Sequence, residues 1–363
     1  MNLNLKRSWR LVRIVLVPVL LLSAATGWLV IDGLRMRSLQ LSKYELPADH
    51  SPRVMLEFIR RMDGSTKHSE GYFESSNFEP VCKAVLQAHE ILKLDQDGLT
   101  VEEKHEADFY YVNYSAASIM QGHVSDVNQE VNNLLNASKK FVTTATAFSA
   151  REQGVALLTI QVLDSLARID EAREFGNWLL EQINQRTEFS SDAAKTTSQK
   201  LAKIVQRLSL MNEILELQSR TVDDLPFDLG SLRGKVILLE FWGTHCKPCI
   251  ADFPALKRIY SANQDRGFEI VAVSLHAAPA RIKSFTEEYQ LPWLQLCNDK
   301  TAGSECNQEL VDRFGIQAVP TTLLLDTEGR VVAMGLRPLS SSPEHDLEKW
   351  LTKLLPWRPE SMK

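Results

Sequence analysis

An excess of charge of either sign is missing from this 363-residue chain, in which 41 Lys and Arg stand against 46 Asp and Glu. With a net charge of −5 and no basic stripe interleaved with aromatics, nothing supplies the electrostatic footprint of a nucleic-acid binder, so no nucleic-acid partner is expected. Metal-ligand patterns are missing as well. His89-Glu90 and His105-Glu106 lack the second histidine of a zinc helix and read as surface or core histidines. The stretch "DQDG", read as a calcium loop with Gly98 sixth, places Lys93 first and Lys104 twelfth where acids are needed, so it is expected to be a turn. Neither a metal nor a bound cofactor is expected. Asn113-Tyr114-Ser115 and Asn136-Ala137-Ser138 match a glycosylation pattern that arises often by chance, and no short internal repeat is visible.

Proline is scarce between 51 and 218, and the apolar positions there recur with helical spacing. Leu158, Val162, Leu166 and Ile169 form one stripe; Ile204, Leu208, Met211 and Leu215 form another. Thr100 followed by Glu103 reads as a capping box, in which each side chain satisfies the other residue's backbone N–H. This region is expected to be an all-helical domain, a bundle or an array of hairpins.

What is present at the N-terminus is a single long apolar run. Lys6, Arg7, Arg10 and Arg13 precede the uncharged Ile14–Ile31. As a helix rising about 1.5 Å per residue the run reaches roughly 27 Å, close to the thickness of a bilayer's hydrocarbon core. Ser23-Ala24-Ala25 offers a signal-peptide cleavage site, but the apolar run continues beyond it, which favours an uncleaved anchor. Positive charge on the near side puts the N-terminus inside. The expected layout is a cytosolic tail (1–13), a transmembrane helix (14–31), a linker (32–50), the helical domain (51–218) and a last domain (221–363). The chain would cross the inner membrane once, with its bulk on the periplasmic side.

Export changes how five cysteines are read, because thiols outside the cytosol oxidise unless kept reduced. Cys246 and Cys249 lie three apart, Cys297 and Cys306 flank a short polar loop, and Cys82 stands alone. Cys82 is read as a small buried hydrophobe, with an intermolecular disulfide as the alternative. Around the first pair the pattern changes from helical spacing to short apolar runs: 235–242, 268–275, 321–326 and 330–335 read as buried strands. Helices are expected at 250–262, 280–290 and about 306–314, and a last one capped by Ser342 with Pro343 at its first position. That order is an α/β fold with a central sheet covered by helices.

In "THCKPC" the first cysteine falls at the junction of strand and helix, where unpaired amides and the helix dipole favour a thiolate. Cys246 is therefore the expected attacking sulfur, and Cys249, one turn inside, the resolving one. These residues, with "GKVILLEFWGTHCKPC", Pro254 and "GIQAVPTTLLLDTEGRVV", resemble the thioredoxin fold and more closely the membrane-anchored TlpA/ResA reductases, some of which serve cytochrome c maturation. The resemblance covers about 225–355. It implies a thiol-disulfide oxidoreductase acting on protein thiols and disulfides, a transmembrane electron donor for a reductase, and no cofactor.

The resemblance also implies a cis Pro320 beside the cysteines, with Val319 pairing its backbone with a bound substrate strand. Glu240 takes the place of a buried acid beneath the resolving cysteine, for proton transfer or as a structural acid. Trp242 and His245 are expected to contact substrate. His245 replaces a usual tryptophan and either stabilises the Cys246 thiolate or is a neutral surface imidazole. Cys297 and Cys306 read as a structural disulfide, with a regulatory pair or free thiols as alternatives. The rival reading from another class is a scaffold at the membrane surface whose last domain only docks partners. Dimerisation through the helical domain is left open.

Overall fold

The computed structural model describes residues 44–64, 78–275, 277–297, 307–338 and 345–356. The expected span at 14–31 lies outside these. Among the described residues no helix is long and apolar enough to cross a membrane.

Contacts divide the chain into two compact units, 1–125 and 126–363. The boundary falls inside the region expected to be one helical domain, rather than between 218 and 221. The first unit holds α1 (Pro52–Gly64), α2 (Phe78–Leu94) and α3 (Val101–Met120). Their shared core is built from Met55, Ile59, Val81, Val85, Ala88, Leu92 and Tyr114. Thr100 and Glu103 form the expected capping box: the Glu103 N–H donates to Thr100 Oγ1 (3.1 Å) and the Thr100 N–H to Glu103 Oε2 (2.9 Å). Cys82 is buried in this core as a free thiol, and burial pushes it up to about 12.

Four further helices open the second unit: α4 (Val127–Thr144), α5 (Ala150–Ser165), α6 (Ile169–Gln185) and α7 (Asp192–Leu208). Each packs on its neighbour in sequence. Two stripes expected to be continuous are broken. Ala167 turns left-handed (φ 54°) between α5 and α6, so Leu158–Ile169 spans two helices. Likewise α7 ends at Leu208, leaving Met211 and Leu215 to pack against the sheet from the following segment.

A two-stranded hairpin, β1 (Gln218–Arg220) and β2 (Pro226–Asp228), leads into the α/β part. There β3 (Val236–Trp242), α8 (Lys247–Asn263), β4 (Phe268–Ser274), α9 (Pro279–Glu288), β5 (Leu294–Leu296), α10 (Gln308–Arg313), β6 (Thr321–Leu325), β7 (Val331–Met334) and α11 (Leu347–Leu354) follow in order. The sheet runs β5-β4-β3-β6-β7, with β3, β4 and β5 parallel and β6 and β7 antiparallel to their neighbours. Every residue of β3 is buried, as a central strand covered on both faces requires. One face lies under α8, α9 and α11, and the other under α10 and the 210–232 segment. The described part of the last helix is capped by Asp346, whose carboxylate accepts the N–H groups of Glu348 and Lys349. Ser342 and Pro343 lie outside the described residues.

Candidate active site

The site grows from the end of β3. The chain leaves Trp242, turns through Gly243 and Thr244, and enters α8 with Cys246 as the residue before the first helical turn. Cys246 has extended backbone angles (φ −80°, ψ 95°), its carbonyl accepts the Ile250 N–H (3.1 Å), and its Sγ accepts the Cys249 N–H (3.1 Å). A sulfur takes the place of the oxygen that usually caps a helix, at the end where the dipole favours negative charge. Cys246 and Cys249 are joined by a disulfide (Sγ–Sγ 2.04 Å) with Cα atoms 5.3 Å apart. Cys249 is fully buried, whereas Cys246 keeps 7% of its surface accessible. Cys246 is the less enclosed of the two.

The peptide bond between Val319 and Pro320 is cis. Register places this pair: Thr321 sits opposite Phe241, so Pro320 lies level with the last residue of β3 and Val319 just past it, at the end from which the cysteine loop departs. Val319 is half-buried against the cluster that contains Cys246 and Cys249. Among the described residues no backbone hydrogen bond is formed by Val319.

Glu240 points to the α8 face of β3, between Leu238 and Trp242. It is buried, and its Oε2 has no hydrogen-bond partner among the described residues. Burial first, and then the Asp252 carboxylate, push Glu240 up to about 8, against an opposing pull from Arg337. Desolvation disfavours the charged form, so this acid keeps its proton near neutrality. Asp252 itself lies one turn beyond Cys249 on the buried face of α8, and its Oδ2 accepts Arg337 Nε at 2.6 Å. The sequence reading missed both Asp252 and Arg337. The three-residue step from Cys249 marked Asp252 as inward-facing, but only the fold brings Arg337 to it.

One expectation changes. Trp242 is fully buried: its Nε1 donates to Gln295 Oε1 (3.0 Å), and its ring packs on Phe253 and Phe285. It is a core residue and not a substrate contact. His245, by contrast, is exposed directly before Cys246. Cys297 is disulfide-bonded, while Cys306 and the loop between them lie outside the described residues. Among the described residues no cluster of side chains could hold a metal ion.

This arrangement, two bonded sulfurs at a helix mouth, a cis proline beside them and a protonated acid behind, defines a thioredoxin-like fold. Residues 234–331 match the model of a thioredoxin-like family. The thiol-disulfide oxidoreductase ResA of Bacillus thuringiensis (strain Al Hakam) is 30% identical over 129 residues, which are 36% of this chain and 69% of that protein. ResA of Bacillus subtilis (strain 168) is 29% identical over 119 residues, 33% of this chain and 63% of its own. The thioredoxin domain of a thiol-disulfide oxidoreductase from Bacteroides vulgatus is 26% identical, covering 38% of this chain and 94% of that one, with a TM-score of 0.33. The chain belongs to the thioredoxin-like thiol-disulfide oxidoreductases that include the ResA proteins, and it is an enzyme of that chemistry. The matched family segment begins at 234, beyond α7.

Proposed function

We propose that the chain is a membrane-anchored reductase of protein disulfides outside the cytosol, working through Cys246 and Cys249. The carrying observation is the Cys246 sulfur, which caps α8 and belongs to the less enclosed residue of the pair. In the reduced enzyme the Cys246 thiolate attacks a substrate disulfide, forming a mixed disulfide and releasing one substrate thiolate, which takes a proton from solvent. In the fraction of molecules in which Glu240 is ionised, its carboxylate takes the Cys249 proton and Cys249 attacks Cys246 Sγ. The second substrate thiolate leaves, two electrons have passed to the substrate, and the Cys246–Cys249 disulfide remains. Val319 offers its backbone to an extended substrate segment, with Pro320 as the rigid end of that edge.

Reduction outside the cytosol needs electrons from across the membrane, so the reading includes a transmembrane donor that returns the pair to dithiol. The basic residues before 14–31 support an anchor with the enzyme on the periplasmic side. Cytochrome c maturation is one use of such a reductase. A Cys249→Ser variant tests the reading, since attack by Cys246 proceeds while resolution fails. Stable mixed disulfides with exported proteins are expected after non-reducing electrophoresis. An equal yield of adducts from Cys246→Ser would defeat the assignment of the attacking sulfur.

A further inference from the structure

The family match leaves α7 outside, yet α7 is fastened to the segment that ends in Val319 and Pro320. One face of α7, with Ala194, Thr197, Leu201, Val205 and Leu208, is buried, and at Gly176 of α6 an added Cβ would lie 2.6 Å from Val205 Cγ2. A different face, spaced by three and four residues, holds the chain from α10 to the cis proline. Lys203 Nζ meets Asp312 Oδ1 at 2.9 Å. Gln206 Nε2 donates to the Arg313 carbonyl (2.9 Å), one of the last-turn carbonyls that α10 leaves without a helical partner. Gln317 Nε2 donates to the Lys200 carbonyl.

Between these lies Gly315, left-handed at φ 64° and pressed on the helix backbone. A Cβ there would stand 2.2 Å from the Lys203 carbonyl oxygen and 3.2 Å from the Arg207 nitrogen. Only glycine permits both the backbone angle and the approach. The backbone three to five residues ahead of Pro320 is thus held by helix α7, with Ile316 between the two contacts packed into the core under the sheet.

We infer that α7 is a positioning element for the substrate edge: Gln317 and Gly315 hold the Val319–Pro320 segment against α7, so this helix, which lies ahead of the family match, is part of the binding apparatus for protein disulfides. The inference rests on the reading of Val319 and Pro320 as that edge. It separates two classes of substrate. A protein disulfide must lie along the edge, whereas a small disulfide needs only the Cys246 sulfur. Loosening α7 therefore weakens the first reaction and leaves the second alone.

The test uses the full chain with insulin and with 5,5′-dithiobis(2-nitrobenzoate) as substrates, dithiothreitol as reductant, and the reduction potential as a third readout. For Gln317→Ala, whose side chain is exposed, KM for insulin is expected to rise about threefold, the scale of one lost hydrogen bond, with kcat, potential and the small-disulfide rate unchanged. Gly315→Ala is expected to raise KM further. Gln317→Arg, which can still donate to the Lys200 carbonyl, should restore it. An unchanged KM in Gln317→Ala overturns the inference even if Gly315→Ala fails to fold. So does a parallel fall in the small-disulfide rate, which would place the effect at the cysteines. If the parent chain itself does not reduce insulin but does reduce the small disulfide, the proposed function falls and this inference with it.

Discussion

On α2 and α3, His89 Nε2 and Asp108 Oδ1 meet at 3.2 Å in the core of the first unit, with Tyr111 stacked on the imidazole at 4.4 Å. In the second unit Asp252 and Arg337 meet at 2.6 Å behind the cysteine pair. Each joins a buried acid to a basic partner, His89 buried and Arg337 half-exposed, and either would attract notice in a search for function. They differ in what stands next to them. Beside Asp252 is Glu240, a further buried acid with an oxygen that nothing among the described residues satisfies. A His–Asp pair with no cysteine beside it serves the core, whereas a further buried acid on the cysteine side of the sheet gives a site for proton transfer.

The contrast is sharpest at Glu240. Glu240→Gln removes the proton acceptor, and the resolving step is expected to slow by about a hundredfold or more, read by rapid-mixing kinetics of mixed-disulfide decay. The same substitution has a signature in stability. Because the folded chain holds the Glu240 proton up to about pH 8 and the unfolded chain releases it near 4.5, stability is full below about 4.5 and declines as pH rises toward 8. Thermal melts across that window should slope downward in the parent and flatten in Glu240→Gln. An equal slope in both would locate the titration elsewhere.

Arg337→Ala comes next. Asp252 loses its cation, and unfolding by denaturant should show a loss of about 1–3 kcal/mol. Without the opposing pull of the guanidinium, Glu240 should hold its proton to higher pH, so the pH profile of the resolving step should move upward. A profile that stays put would break the link between the two carboxylates. The smallest functional effect belongs to the first unit. His89→Leu is expected to cost about 1–3 kcal/mol of stability and to leave thiol-disulfide exchange as it was. A change in exchange rate there would erase the distinction between the two pairs.

How much of this the sequence made legible depended on how local the determinants were. The cis bond at Pro320 followed from the family resemblance, whereas the helix start at Cys246 and Cys249 could be read because a few adjacent residues specify it. The capping box at Thr100 and Glu103 was readable for the same reason. Trp242 could not be placed, since β3 is apolar on both faces and shows no alternation to say which side chains face outward. The strand β5 has three residues, too few for any period. Arg337 belongs to the site through a contact 85 residues away in sequence, which no local pattern encodes. The stripe across Leu158–Ile169 misled because a left-handed Ala167 keeps apolar spacing intact while ending one helix and starting the next.

Cys82 carries a consequence of its own. Enclosed among α1, α2 and α3 and held as a neutral thiol up to about 12, it is closed to alkylating reagents as long as that packing stays shut. Its rate of modification is therefore a clock for how often the three helices breathe open, one that runs independently of the electron traffic at Cys246.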